Sequence, residues 1–277
     1  LFLAFTKTEI CNLALSMLGA NTATNIDTDT TPQAEATRRW FAPARDEALA
    51  SHPWNFATTR TRLTLTWTDL VGVALTDNGS GLIRVAHTGH GYQTGERTTF
   101  KDVEGVNANG SWFITRIDND TFDLQDSVFS GSHTSGTGSF IRVPLFGWDY
   151  QHTMPDDCLR VVRFNGLEGN EEDSQPFVVE ADKLLTNADV VELRYIYQHT
   201  TVAEWPQEFI NAFALLLASY LAAEIVESSG RAEMLRKQYE GIVAPQKRRN
   251  DARAGKGRVL QPTYDSQLVA ARRGFIP

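Results

Sequence analysis

Apolar residues recur at three- and four-residue intervals towards both ends of the chain and at two-residue intervals through its middle. Helical spacing predicts four helices. The first runs from about Thr8 to Leu18, with Ile10, Leu13, Ala14, Met17 and Leu18 on one stripe and Gly19 as its stop. The second opens at Thr31-Pro32, an N-cap followed by proline at the first helical position, and continues through Trp40-Phe41 to about Ser51. Pro43 lies inside it and is expected to kink or break it. The third starts at Trp205-Pro206 and carries the longest apolar run, Phe209 to Val226, to about Glu227. Asn211, Ser219 and Glu224 interrupt that run, which favours a buried helix over a membrane span. After Ser228-Ser229-Gly230, a fourth helix is expected from about Arg231 to Val243, with Met234, Leu235 and Tyr239 facing inward and Pro245 ending it.

Between about Thr66 and Arg142 the helical period is absent. Short alternating runs, Leu82 to Val85, Trp112 to Ile117 and Thr121 to Leu124, predict strands. Turn clusters such as Asp77-Asn78-Gly79, Asn107-Ala108-Asn109-Gly110 and Asp118-Asn119-Asp120 separate them. Strands at this spacing make a small antiparallel sandwich or barrel, read here as a module inserted at 66–142. Cys158 to Phe164 and Val190 to Tyr197 read as strands of the flanking body, with Leu184-Leu185 between them. The expected class is α+β. A helix-bundle body with a few strands is formed by 1–65 and 143–244, the β module is looped out of it, and an extended arm spans 245–277.

Arg45 to Ala57, R-D-E-A-L-A-S-H-P-W-N-F-A, reads as a packing corner. A helix carries Leu49 inward, His52-Pro53 ends it, and Trp54-Asn55-Phe56 starts an extended segment with two large aromatics. Arg45, Trp54, Asn55 and Phe56 are its structural residues, and none is catalytic in type.

Composition adds a soluble, folded chain able to bury one large core or two smaller ones: 277 residues, 42% hydrophobic, with ten prolines. The net charge of −8 is unevenly placed. From Arg231 onward 11 Lys and Arg face 4 Asp and Glu, about +7, leaving 15 against 30, about −15, for residues 1–230. Cys11 and Cys158 read as buried free thiols, and nothing in their spacing supports a disulfide. The apolar start Leu1 to Phe5 is too short for a signal segment and lacks a basic flank, so synthesis without an export signal is expected.

No enzyme signature emerges. His87 and His90 sit three apart at a strand end and turn, with His52, His133, His152 and His199 scattered, a weak basis for a metal site. Asp156-Asp157 and Glu171-Glu172-Asp173 read as solvated loops rather than the facing carboxylates a glycosidase needs. The glycine-rich Ser130 to Gly138 lacks the Lys-Ser/Thr ending of a phosphate loop and reads as a hairpin loop. No catalytic, cofactor-binding or metal-ligating residue is assigned, and no cofactor. The basic stretch Lys247, Arg248, Arg249 and Arg253 continues to Tyr264 and Arg272 beside apolar Leu260 and Leu268. It reads as an arm that orders on a partner, an acidic protein groove in preference to DNA phosphates.

Four segments together resemble the head-to-tail adaptor proteins of short-tailed bacteriophages, the tail tubular protein A family. They are Glu9 to Leu15 with Leu18-Gly19, the Arg45 to Ala57 corner, Pro155-Asp156-Asp157-Cys158-Leu159-Arg160-Val161-Val162, and Trp205-Pro206 leading to Phe209 and Leu216-Leu217-Ala218. The closing Asp265-Ser266 to Ala271-Arg272 adds a fifth match. The likeness covers roughly 7–65 and 143–273. The middle module is similar to small β modules inserted in phage structural proteins and to the β-barrel half-domain of ubiquitin-activating enzymes, a likeness of fold that implies no ubiquitin chemistry. The resemblance implies a virion protein of the tail or neck, assembled in the host cytoplasm with no membrane partner. It implies a homo-oligomeric ring, usually of twelve, between portal protein and tail tube or nozzle. Genomic DNA would pass through its channel, and the arm Lys247, Arg248, Arg249, Arg253, Leu260, Tyr264, Leu268 and Arg272 would dock on the portal. Two readings from other classes stand beside it: a tail-associated cell-wall hydrolase, and a DNA-binding protein acting through the basic tail.

Overall fold

The structure is a computed structural model that describes residues 5–165 and 176–253, with side chains described up to residue 243. It is mixed α+β, with helices at the two flanks and antiparallel sheets between them. Helix α1 (Lys7–Leu18) is opened by Thr6. The Thr6 hydroxyl accepts from the Glu9 N–H at 3.2 Å while the Glu9 carboxylate accepts from the Thr6 N–H at 2.7 Å. Gly19 closes it in the left-handed conformation, φ 72°, which glycine adopts without strain. Ile10, Cys11, Ala14, Leu15 and Leu18 are buried, with Leu13 and Met17 packed partly against the same core.

Helix α2 (Pro32–Ser51) is continuous through Pro43. The proline forfeits only the bond to the Arg39 carbonyl, and burial of Phe41, Ala44, Ala48 and Leu49 holds the remaining turns. Helix α3 (Gln207–Ile225) lies at the centre, packed against α1, α2 and the fourth helix, α4. It is long and apolar enough to cross a membrane by length and composition, yet 67% of that stretch is buried inside the protein. Helix α4 (Ser229–Arg253) departs from expectation: it does not end at Pro245 but runs eight residues further. One missing donor in 25 residues is tolerated where Gln246, Lys247, Arg248 and Arg249 are good helix formers. Leu235 and Tyr239 face the core, whereas Met234 is 48% exposed, contrary to its expected inward position.

Strands β1 (Thr58–Thr64), β10 (Cys158–Phe164) and β13 (Val190–Tyr197) form one antiparallel sheet in the order β1-β13-β10. Strands β9 (Tyr150–Thr153), β11 (Phe177–Glu180) and β12 (Lys183–Thr186) form a second, ordered β11-β12-β9. The third sheet has seven strands: β2 (Thr68–Asp69), β3 (Ala74–Asp77), β4 (Ile83–Ala86), β5 (Arg97–Lys101), β6 (Gly110–Arg116), β7 (Thr121–Leu124) and β8 (Ser139–Val143). Their order is β2-β8-β5-β6-β7-β4-β3.

The edge strands β2 and β3 are consecutive in sequence, joined by a turn in which the Val73 N–H donates to the Leu70 carbonyl at 3.2 Å. A flat sheet of this size would hold its edges about 29 Å apart, from strand spacings of about 4.8 Å. Five Cα steps span at most about 19 Å. The sheet therefore curls, enclosing its own core of residues including Leu70, Ile83, Val85, Phe100, Ile114, Phe122 and Phe140. The Ser130 to Gly138 segment is not a hairpin loop, because β7 pairs with β4 and β6 while β8 pairs with β5 and β2. It is a crossover that lies on Val103 to Gly105. A Cβ on Gly105 would sit 1.9 Å from the Ser132 carbonyl oxygen, so only glycine permits this approach.

Candidate docking surface and the aromatic corner

At the end of α2 three side chains close the orphan carbonyls of the last turn. The Trp54 indole N–H donates to Ala48 at 2.9 Å, the Ser51 hydroxyl donates to the same carbonyl at 2.7 Å, and the Arg160 guanidinium donates to Ala50 at 2.9 Å. Pro53 ends the helix as expected, but Asn55–Ala57 forms a short 3-10 turn where an extended segment is predicted; β1 starts only at Thr58. The Ala57 N–H reaches the Trp54 carbonyl at 3.0 Å, which draws this segment into a turn.

Trp54 is buried at 3% exposure, and its ring meets Phe209 edge-on at 5.2 Å between centroids. Phe56 is half-buried, 5.0 Å from Phe209 and 5.4 Å from His199. Trp205 continues the cluster to Phe209, Phe213 and Phe41. Arg45 donates to Asp46 at 2.7 Å, and the other Asp46 oxygen accepts from Gln198 at 2.9 Å. Asn55 is exposed, and its backbone carbonyl caps the 3-10 turn by accepting from Thr58. Arg45, Trp54 and Phe56 thus act through packing and local bonds.

The other half of this core comes from far along the chain. Cys11, Ala14 and Leu15 of α1, Leu49 and Trp54 of the corner, and Trp205, Phe209, Leu216, Leu217 and Ala218 share one cluster, with Leu159 and Val162 of β10 packed against it. Burial pushes the Cys11 thiol up to about 12. Cys158, expected to be buried, is half-buried; both cysteines are free. Asp156 and Asp157 are exposed in a turn, as a solvated loop requires, and Asp157 also has a partner. It accepts from the Tyr195 hydroxyl at 3.0 Å, and burial together with this carboxylate pushes that phenol up to about 12.

Of the basic residues assigned to docking, Lys247, Arg248, Arg249 and Arg253 lie on the helical backbone of α4, not on an extended arm. Leu260, Tyr264, Leu268 and Arg272 lie outside the described residues, as do Glu171, Glu172 and Asp173.

A second basic surface is formed only by strand pairing. Arg60 of β1, Arg194 of β13 and Arg163 of β10 are directly opposite one another across three strands. Arg62 stands opposite Glu192 in the same sheet. A groove of about 300 Å³ runs along these five residues. Like charges opposed in a sheet cost stability. Arg60, Arg163 and Arg194 each have interactions within the chain. The signal was present in the alternation T-R-T-R at 59–62 and in E-L-R at 192–194, but only strand pairing brings the two runs together. Guanidinium groups in such a row can take carboxylates or phosphates by paired hydrogen bonds.

Among the described residues no group of three or more His, Cys, Asp or Glu could hold a metal ion. Comparison of the chain with protein-family models and with curated proteins finds no match.

Proposed function

We propose that this chain is a structural, non-enzymatic virion protein: the head-to-tail adaptor of a short-tailed bacteriophage. Copies form a ring, of twelve by the family pattern, between portal and tail tube, around the channel through which genomic DNA leaves. In this reading the four helices with the β1-β13-β10 sheet are the adaptor body, the curled sheet is an inserted module, and the basic C-terminal stretch docks on the portal.

One observation carries the reading. The four separated segments that resemble the adaptor family, from α1, the Arg45 to Ala57 corner, β10 and the start of α3, contribute to a single hydrophobic core. A single adaptor body requires these segments to pack together. The net charge supports the assignment of roles: an acidic body suits a channel wall along which DNA slides, while positive charge at the C-terminal end suits an acidic partner groove.

The test is co-sedimentation with the portal protein of the same virus, using the full chain and a chain ending at Ala244. Leu235, Tyr239, Ile242 and Val243 of α4, which pack on the core, all precede that point, and circular dichroism of the shortened chain is expected to match the parent's fold. The full chain is expected to sediment with portal rings and the shortened chain to stay in solution. Failure of the full chain to bind overturns the adaptor reading. Binding by the shortened chain reassigns docking to the arginine-bearing sheet.

A further inference from the structure

A cleft of about 630 Å³ opens where the three sheets meet. Arg62 comes from β1, Arg142 from the end of β8, and Lys183 from the start of β12, three cations supplied by three separate sheets. None of the 18 lining residues is Asp or Glu. Each cation has one carboxylate neighbour, Glu192 across the strand pair from Arg62, Glu96 beside Arg142 and Asp182 beside Lys183, but none of the three acids lines the cleft. Threonine hydroxyls at 64, 66, 68 and 153 add neutral donors.

We infer that this cleft binds a phosphate-bearing ligand through Arg62, Arg142 and Lys183. Its volume lies in the range of small-ligand sites. Arg142 is already oriented: its guanidinium lies over the Tyr92 ring at 4.5 Å, donates to the Gly91 carbonyl at 2.9 Å, and meets Glu96 at 3.2 Å. Lys183 is steadied by Thr153 at 3.1 Å and Asp182 at 2.9 Å, with its side chain still 35% exposed. Arg62 is exposed and its side chain makes no hydrogen bond or ion pair among the described residues, so its fork of donors is uncommitted.

Two features favour phosphate over a nucleobase. Tyr92 and Phe140, the aromatic residues of the wall, are each only 3% exposed, which leaves no open ring face for a base to stack upon. Arg142 also covers the face of Tyr92. Of the three imidazoles that line the cleft, His87 packs edge-on against Phe140 at 5.2 Å, and the other two make local polar contacts. His90 accepts from the Tyr92 N–H at 2.9 Å and lies 3.1 Å from the Asp118 carbonyl oxygen, and His152 is 3.0 Å from that of Ala188. Recognition therefore falls to the three cations, which suits an oxyanion carrying more than one charge. This inference does not depend on the adaptor reading.

Isothermal titration of the full chain with inorganic phosphate, tripolyphosphate and a short DNA duplex tests it. Tripolyphosphate is expected to bind, and Arg62→Gln or Lys183→Gln each to weaken it by about tenfold or more, the worth of one charge-assisted hydrogen bond. Lys237→Gln, on a lysine that pairs with Glu233 on α4, leaves binding unchanged. Circular dichroism and melting of each variant check that its fold is intact. Duplex binding with the same losses identifies the phosphate source as a nucleic-acid backbone; a silent duplex beside bound tripolyphosphate identifies a free polyphosphate. Absence of binding by all three probes overturns the inference, as does binding that Arg62→Gln and Lys183→Gln both retain.

Discussion

Trp54 combines two roles in one side chain: it fills the core beside Phe209, and its N–H shares with the Ser51 hydroxyl the closing of the Ala48 carbonyl. Trp54→Ala removes both and is expected to cost about 3–5 kcal/mol in denaturant unfolding. A variant as stable as the parent would mean that the corner is not a packing anchor. Cys11 offers a test of the same core by pH. Its thiol has an ordinary value of 9.0 and is pushed by burial to about 12. Below the ordinary value both folded and unfolded states hold the proton, and the burial contributes in full. Above it the unfolded thiol ionises first, so stability falls between about 9 and about 12. Chemical denaturation across this range should show a shallower decline for Cys11→Ala than for the parent. Equal slopes would place Cys11 in water.

Among the elements, the curled sheet is the one whose independence can be tested most simply. Thr68 pairs with Phe140 and Asp69 with Ser139, so the chain enters and leaves the sheet at neighbouring positions, about 5 Å apart. Replacing Thr68 to Ile141 by a short Gly/Ser linker should leave a folded protein with raised fractional helicity by circular dichroism. An unfolded product would show that the helices depend on the sheet. The strands of this sheet were legible because alternation and turn residues such as Asp77-Asn78-Gly79 act locally. The same holds for α1, where Gly19 supplies its own stop. What local patterns could not convey was long-range pairing. Ser130 to Gly138 has the composition of a hairpin loop, yet β7 and β8 find other partners. The Arg60-Arg194-Arg163 row depends on two registers, Arg60 with Arg194 and Arg163 with Arg194, set by strands distant in sequence. Pro245 reads as a stop because a single missing donor is visible in sequence, whereas the propensity of the residues beyond it acts only in sum.

At the scale of the whole molecule, an acidic body of helices and sheets carries a curled sheet and a basic C-terminal helix. Ring formation by such a chain would be driven at the portal, where the positive charge of its C-terminal end would meet an acidic partner surface. The purified protein alone is therefore expected to be largely monomeric. Negative-stain imaging of the protein mixed with the portal of the same virus tests the central claim most directly. The account predicts closed rings stacked coaxially on the portal, each built from many copies of this chain. Bare portal rings beside free monomers, at concentrations where both proteins are folded, would contradict it.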